Sequence, residues 1–422
     1  MNVEKVKTMN DLPARPQWVE HLNLMGPFCG GAEYMVSLGV EELLDAARSV
    51  TGLEDFGDDD WREDFEVLIH SLNHEARLNT LGRLMVRSEV LKSLQSRLRL
   101  IEFWRTHPEV LDSEVNPPIV IAGAARTGTS ILFEALAQDE QFHVPYVWRA
   151  FDPTPVGNKP EQAVAEKIEN ARCLSDFWMD VQPEIRAQHD FASVLASECL
   201  RFMATHFLTD YWGMVANMPA WQEYRSQKNY VPDSYCWHKR LLQTMQYGEP
   251  KDRVWLLKSP AHLIFADVIR QVYPDVRFIH THRDPIKSIP SGASITATIR
   301  RERSDEVDCE AIGKGLAAGF HYAMNNTIDQ RIDGRLPEAN IADIHLQDLI
   351  KDPVAAIKRC YDHFSLNLSE PMKKNIVDYL ANKHQGKFGR HTPDIAAFGM
   401  SAESLRESFK RYTDYYNIQL EV

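Results

Sequence analysis

The sequence predicts an α/β protein: a parallel sheet flanked by helices, preceded by a helical N-terminal region. Three observations lead there. Apolar runs of strand length recur after Pro118: Ile119-Val120-Ile121-Ala122, Val254-Trp255-Leu256-Leu257, Val276 to Thr281, and the weaker Ile341-Ala342-Asp343-Ile344. Segments of helical periodicity separate them. A turn rich in glycine and hydroxyls follows the first run and opens into a helix, the strand–loop–helix order of a P-loop-like sheet. Runs that are apolar on both faces suit parallel strands covered on both sides.

The N-terminal part, 1–116, reads as helical. Val40 to Ala47 starts one amphipathic helix. Trp61 to Asn73 makes a second, with Phe65, Leu68, Ile69 and Leu72 at 3–4 spacing, and Leu78 to Trp104 holds one or two more. Asn116-Pro117-Pro118 marks the boundary with an α/β domain, 117–422. Within that domain Ile131–Gln138, Leu263–Val272 and Val354–Phe364 are the expected covering helices. A helical insertion over about 150–250 interrupts it between the first two long strands. Nine aromatic residues between Phe202 and Trp237 make that insertion either core packing or a lid over an acceptor. No heptad pattern is sustained, so a homo-oligomer through the helical region is left open.

The chain has 422 residues, 44% apolar and 25% charged, as in an ordinary globular protein. Its net charge of −13 disfavours nucleic acid and anionic membranes as partners. No apolar run approaches the roughly 20 residues of a membrane span, and Met1 to Asn10 lacks a signal-peptide core. Six scattered cysteines with no C-x-x-C pair suggest reduced thiols and a cytoplasmic location. No metal-binding spacing is present, and no metal is expected. His280 and His282 share a strand face, but no further ligand lies near them in sequence.

The chemistry concentrates at the ends of the predicted strands, where parallel sheets bind ligands. The first runs into Gly123-Ala124-Ala125-Arg126-Thr127-Gly128-Thr129-Ser130. This is nearly G-x-x-x-x-G-K-[ST], whose backbone amides ring a phosphate at a helix start. The P-loop lysine position is Thr129, and the fixed cation is Arg126 inside the loop. Such a loop suits a phosphate or sulfate without metal, whereas a kinase needs the lysine and Mg²⁺. The second strand ends in Lys258-Ser259-Pro260-Ala261-His262. The third ends in His282-Arg283-Asp284-Pro285, with Ser291 eight residues beyond Arg283. An Arg before a helix and a Ser two turns into it can hold one phosphate, the Arg through a forked charge-assisted bond. His282-Arg283-Asp284 and Asp55-Phe56-Gly57 spell kinase motifs, but in the wrong order and without the expected Asn at Ile289.

These three strand-end motifs together resemble the sulfotransferase family, bacterial type, over roughly Ile119 to the C-terminus. The helical N-terminal region is similar as well. The resemblance implies transfer of a sulfuryl group from 3′-phosphoadenosine 5′-phosphosulfate (PAPS) to a hydroxyl of a small-molecule acceptor, in line and without metal. It implies that Arg126, Thr127, Gly128, Thr129 and Ser130 hold the 5′-phosphosulfate and that Arg283 and Ser291 hold the 3′-phosphate. A later basic loop, Lys383 to His391, resembles the one that closes over that phosphate, with Lys387, Gly389 and Arg390 as its contacts. Lys258 and Arg126 are the candidates for charge on the transferring group and the bridging oxygen.

The sequence departs from the family at the base. A Trp-Glu pair is expected soon after the phosphate loop; here it is Trp148-Arg149. An arginine cannot accept the acceptor's proton at ordinary pH. His189 and then Glu198, ionisable groups in the apolar stretch Gln188–Cys199, are the expected replacements. Arg149 is expected to grip an anionic acceptor. A non-catalytic nucleotide-binding homologue is the alternative that this departure favours, and a P-loop-like kinase is the weaker one.

Overall fold

The computed structural model of the chain describes residues 15–156, 160–383 and 393–421. Five parallel strands form one sheet: β1 (Ile119–Ala122), β2 (Phe142–His143), β3 (Val254–Lys258), β4 (Arg277–His282) and β5 (Ile341–His345), in the order β2-β3-β1-β4-β5. Four lie where the apolar runs predict. β2 was not expected, because its two residues are too short to show a pattern and it forms only by pairing Phe142 with Val254 and His143 with Trp255.

β1 is buried on both faces, and its side chains alternate between two cores. Val120 and Ala122 join a core built with Trp255, Leu257, Phe278 and the C-terminal Phe409, Tyr412 and Tyr416. Ile119 and Ile121 face Leu132, Phe133, Leu256 and Ile357 on the opposite side. Alternation of this kind follows from the two-residue period of a strand.

The helices differ from expectation in detail. Leu78–Trp104 belongs to one helix, Thr80–Thr106, started by Asn79, whose side chain accepts from the Gly82 amide at 2.8 Å. Leu263–Val272 is two short helices, Ala261–Ile264 and Ala266–Val272, broken at Phe265. The helices Val40–Thr51, Arg62–His74 and Thr80–Thr106 share a core with the insertion: Leu44, Phe65, Leu72 and Leu94 pack with Phe207, Trp212 and Trp221. The aromatic stretch of the insertion therefore serves largely as core; Phe202, Trp212 and Trp221 are fully buried. Arg303, just beyond the helix Pro285–Arg301, ties the α/β domain to the helix Thr80–Thr106 by pairing with Glu89 and also pairs with Glu302 (2.7 Å), all three buried.

Candidate active site

β1 lies between β3 and β4, and the chain leaves it first toward β2 and β3 and later toward β4. The strand order reverses direction there, which opens a crevice at the carboxyl ends. Arg126, Lys258 and Arg283 follow β1, β3 and β4, so three adjacent strands deliver three cations to one end of the sheet.

The loop after β1 needs close approach and unusual backbone. At Gly123 (φ +154°) a Cβ would sit 2.3 Å from Thr281 Oγ1 on the neighbouring strand. Arg126 has φ +66°, a left-handed conformation uncommon outside glycine. Two hydrogen bonds hold it there: its Nη1 donates to the Gln188 carbonyl (2.8 Å), and its own carbonyl accepts from Arg283 Nη1 (3.2 Å). Burial, and then the like charge of Arg283, lower the Arg126 pKa. Two guanidiniums held this close leave the crevice short of negative charge.

The hydroxyls of the loop divide by role. Thr127 is buried; its hydroxyl meets the Ala124 carbonyl (2.7 Å) and Thr281 Oγ1 (2.5 Å), which ties the loop to β4. Thr129, also buried, begins the helix Thr129–Leu136 after Gly128 in the left-handed region. Ser130 Oγ accepts from Lys258 Nζ at 3.2 Å. Lys258 is 2% exposed and also ion-pairs with Glu198. Burial opposes ionisation of Glu198, but Lys258 outweighs it and the carboxyl stays below its usual range. Burial and the adjacent Lys258 push His189 down to about 4, so its imidazole is neutral at ordinary pH.

Arg283 lies immediately before the helix Pro285–Arg301, whose N-cap Asp284 accepts from the Ile286 amide (3.1 Å). Its fork is filled by a carboxylate: Nε and Nη2 donate to Glu421 at 2.7 and 2.8 Å. The Glu421 amide in turn donates to Asp284 Oδ2 (2.7 Å). Ser291 is half-buried on that helix. The next residue, Gly292, lets the helix touch the phosphate loop, since a Cβ there would lie 3.0 Å from Ala125 Cβ. Thus the Ser291 turn abuts the loop that carries Arg126.

Arg149 is brought elsewhere. It donates to the Met245 carbonyl and pairs with Glu249 at 3.0 Å. With Glu249, Arg253 and Trp148 it lines a cavity of about 270 Å³ whose walls include none of the residues around Lys258. His189 lines a different cavity of about 450 Å³, with Ile168, Met179, Ala192 and Val194 among its walls. Lys387, Gly389 and Arg390 lie outside the described residues. Lys383, where that basic stretch begins, pairs with Glu134 on the helix that follows the phosphate loop. Sequence reasoning missed Gln188, Thr281 and Glu421. Glu421 gave no signal, because it is 138 residues from Arg283.

A parallel sheet with a phosphate-type loop after its central strand and a cationic crevice at its switch point is the architecture of a P-loop-like α/β fold. The profile of the sulfotransferase family matches residues 117–370, and the chain belongs to that family. It is 23% identical over 310 residues to the omega-hydroxy-beta-dihydromenaquinone-9 sulfotransferases Stf3 of Mycobacterium bovis and Mycobacterium tuberculosis, covering 70% of this chain and 75% of each relative. Among solved structures, it resembles sulfotransferase STF1 from Mycobacterium tuberculosis H37Rv (26% identity, TM-score 0.69, 88% of this chain and 98% of that one). It shares its fold with sulfotransferase STF9 from Mycobacterium avium (22% identity, TM-score 0.75, 90% and 97%). Membership of this family sets aside the kinase reading. Among the described residues no helix is long and apolar enough to cross a membrane.

Proposed function

We propose that this sulfotransferase transfers a sulfuryl group from PAPS to a hydroxyl on a small molecule with an apolar part. The observation that carries the reading is the convergence of Arg126, Lys258 and Arg283 at one sheet end, with Lys258 bonded to Ser130 of the phosphate loop. PAPS supplies the sulfuryl group when bound. Its anions would be met by Arg126 with the loop amides and by Arg283 with Ser291, two cations that adjoin each other. The closeness of Arg126 and Arg283, which lowers the Arg126 pKa, supports a site made for a polyanion.

Lys258 would leave Glu198 to meet negative charge on the transferring group, a shift made easier by its bond to Ser130. Sulfuryl transfer, like phosphoryl transfer, depends mainly on positioning and on stabilising spreading charge. His189 would take the proton of the acceptor hydroxyl, with Glu198 as the neighbouring carboxylate that stabilises the imidazolium. The anion would offset Lys258 and Arg126 and so raise the His189 pKa from about 4 toward the working range. The apolar side chains Ile168, Met179, Ala192 and Val194, interleaved in the cavity that His189 lines with Arg172, Asp176, Arg186 and Asp190, support an acceptor with an apolar part. So does the hydroxylated menaquinone named for the Stf3 relatives. Arg149, engaged by Glu249, is a poor candidate for an anionic acceptor unless the acceptor reaches the separate cavity that it lines.

The test is thermal melting with adenosine 3′,5′-bisphosphate, adenosine 5′-monophosphate and ATP–Mg²⁺. Saturation at 100 times the dissociation constant adds about 2.7 kcal/mol. A rise with the bisphosphate that disappears in Arg283→Ala is expected; a rise only with ATP–Mg²⁺ would overturn the reading. Turnover of PAPS with any hydroxylated acceptor eliminates the non-catalytic alternative.

A further inference from the structure

Behind Lys258 and Glu198 lies a buried group that the transfer reaction does not use. Cys199, His238 and His262 place Sγ and two ring nitrogens within 4.8 Å of one another. The residues come from three elements: the helix Cys199–Met203, the helix Tyr230–Met245 and the helix Ala261–Ile264 that follows β3. His238 and His262 are 1% and 2% exposed, and Cys199 is fully buried.

The imidazoles are already oriented. Tyr235 Oη bonds His262 Nδ1 at 2.7 Å, and Tyr273 Oη bonds His238 Nδ1 at 2.8 Å. Both Nε2 atoms are then left buried without a protein partner. An unpaired buried polar atom costs about 1–3 kcal/mol, so two side by side call for an explanation. A hydrogen bond at Nδ1 with Nε2 free is how metal-ligating histidines are usually held. Burial, with no opposing charge strong enough, keeps both rings neutral, as ligands must be. The Cys199 thiol is pushed up by burial, while a backbone hydrogen bond from Lys258 favours its anion. Glu198 supplies negative charge next to the cluster, as its electrostatic coupling to both Cys199 and His262 shows.

We propose that Cys199, His238 and His262 bind a zinc-class divalent ion that pins the Glu198 turn to the end of the Lys258 strand. One thiolate and two imidazoles suit Zn²⁺, with a fourth position for water. Bond lengths of about 2.0–2.1 Å to nitrogen and about 2.3 Å to sulfur require the three atoms to close by roughly an ångström. That is within side-chain rotation. A narrow cleft of about 10 Å³, lined by Tyr235, Ser259 and Asp210, touches one member of the cluster, His262. Cys199 adjoins Glu198, and His262 is four residues beyond Lys258, so the ion would fix the two partners of the Lys258–Glu198 pair. Its role there is to hold the two partners in place. The sequence expectation of no metal rested on linear spacing, which these scattered residues do not show.

The second cluster, buried His280 and His282 with the partly exposed Asp343, differs. Arg331 Nη1 reaches both Asp343 oxygens at 2.9 Å and His282 Nε2 meets Oδ1 at 2.9 Å, so that carboxylate is already neutralised by a fixed cation.

The experiment titrates chelator-stripped full-length protein with Co²⁺ alone, then displaces it with Zn²⁺. One equivalent of Co²⁺ giving a thiolate-to-cobalt charge-transfer band is expected. The band is lost in Cys199→Ser and kept in Cys360→Ser, the other fully buried thiol. Zn²⁺ raises the melting temperature of the wild type and not of Cys199→Ser. If Cys199→Ser does not fold, X-ray absorption of the zinc-loaded wild type decides: one sulfur and two imidazoles in the first shell support the site. No stoichiometric band, a band that survives Cys199→Ser, or a shell without sulfur overturns it.

Discussion

Glu421 fills the Arg283 fork that the proposed function assigns to a 3′-phosphate, so removing its charge should tighten nucleotide binding. The perturbation is Glu421→Gln. The pair has two nearly parallel bonds of 2.7 and 2.8 Å, the geometry of a strong charge-assisted fork. Hydrogen bonds to charged groups contribute about 1.5–3 kcal/mol. Both side chains are 24% exposed, so solvent screening brings the pair toward the lower end, about 1–2 kcal/mol. A ligand that must break the pair regains that amount in the variant, roughly 5–30-fold in affinity. Glutamine keeps the Glu421 amide bonded to Asp284, so the tail should stay in place. Isothermal titration with adenosine 3′,5′-bisphosphate measures the gain. Adenosine 5′-monophosphate, which lacks the 3′-phosphate, is the control and should show no change. Equal gains for both ligands, or no gain for the bisphosphate, would refute the reasoning.

Three further outcomes are expected. Lys258→Met lowers kcat about 100–1,000-fold, the scale for loss of one donor to transition-state charge, while bisphosphate affinity changes much less; equal losses in both would assign Lys258 to binding alone. Activity rises with pH as His189 loses its proton: the acid limb of kcat/KM lies near pH 4, that of kcat lies higher once anion offsets Lys258 and Arg126, and His189→Asn abolishes the limb in both profiles. Arg303→Ala leaves Glu89 and Glu302 buried beside each other without their cation and destabilises the fold by about 3–5 kcal/mol in urea unfolding; a loss under 1 kcal/mol would show that water reaches that site.

The sequence alone determined the sheet and its cationic end. Strand-length apolar runs, β-rich and covered on both faces, have few other ways to be buried, and three of the four carry a functional residue at the carboxyl end. Arg126, Lys258 and Arg283 were therefore legible as residues of one crevice before any contact was known. The short strand β2 was not, because two residues have no period and only pairing with β3 makes them a strand. The partner of Arg149 was not legible either: Trp148-Arg149 stands where a Trp-Glu pair is expected, which placed it toward the acceptor, and only the structure shows its guanidinium paired with Glu249. Tertiary structure alone decided which charges meet. Glu421 reaches Arg283 only because the last helices return across β4, where Tyr412 bonds His282 at 3.0 Å. Cys199, His238 and His262 converge only because three elements pack there. Local pattern encodes burial, since burial follows periodicity. Pairing across 60 or 138 residues, as for Lys258 with Glu198 and Arg283 with Glu421, depends on packing that no local pattern records.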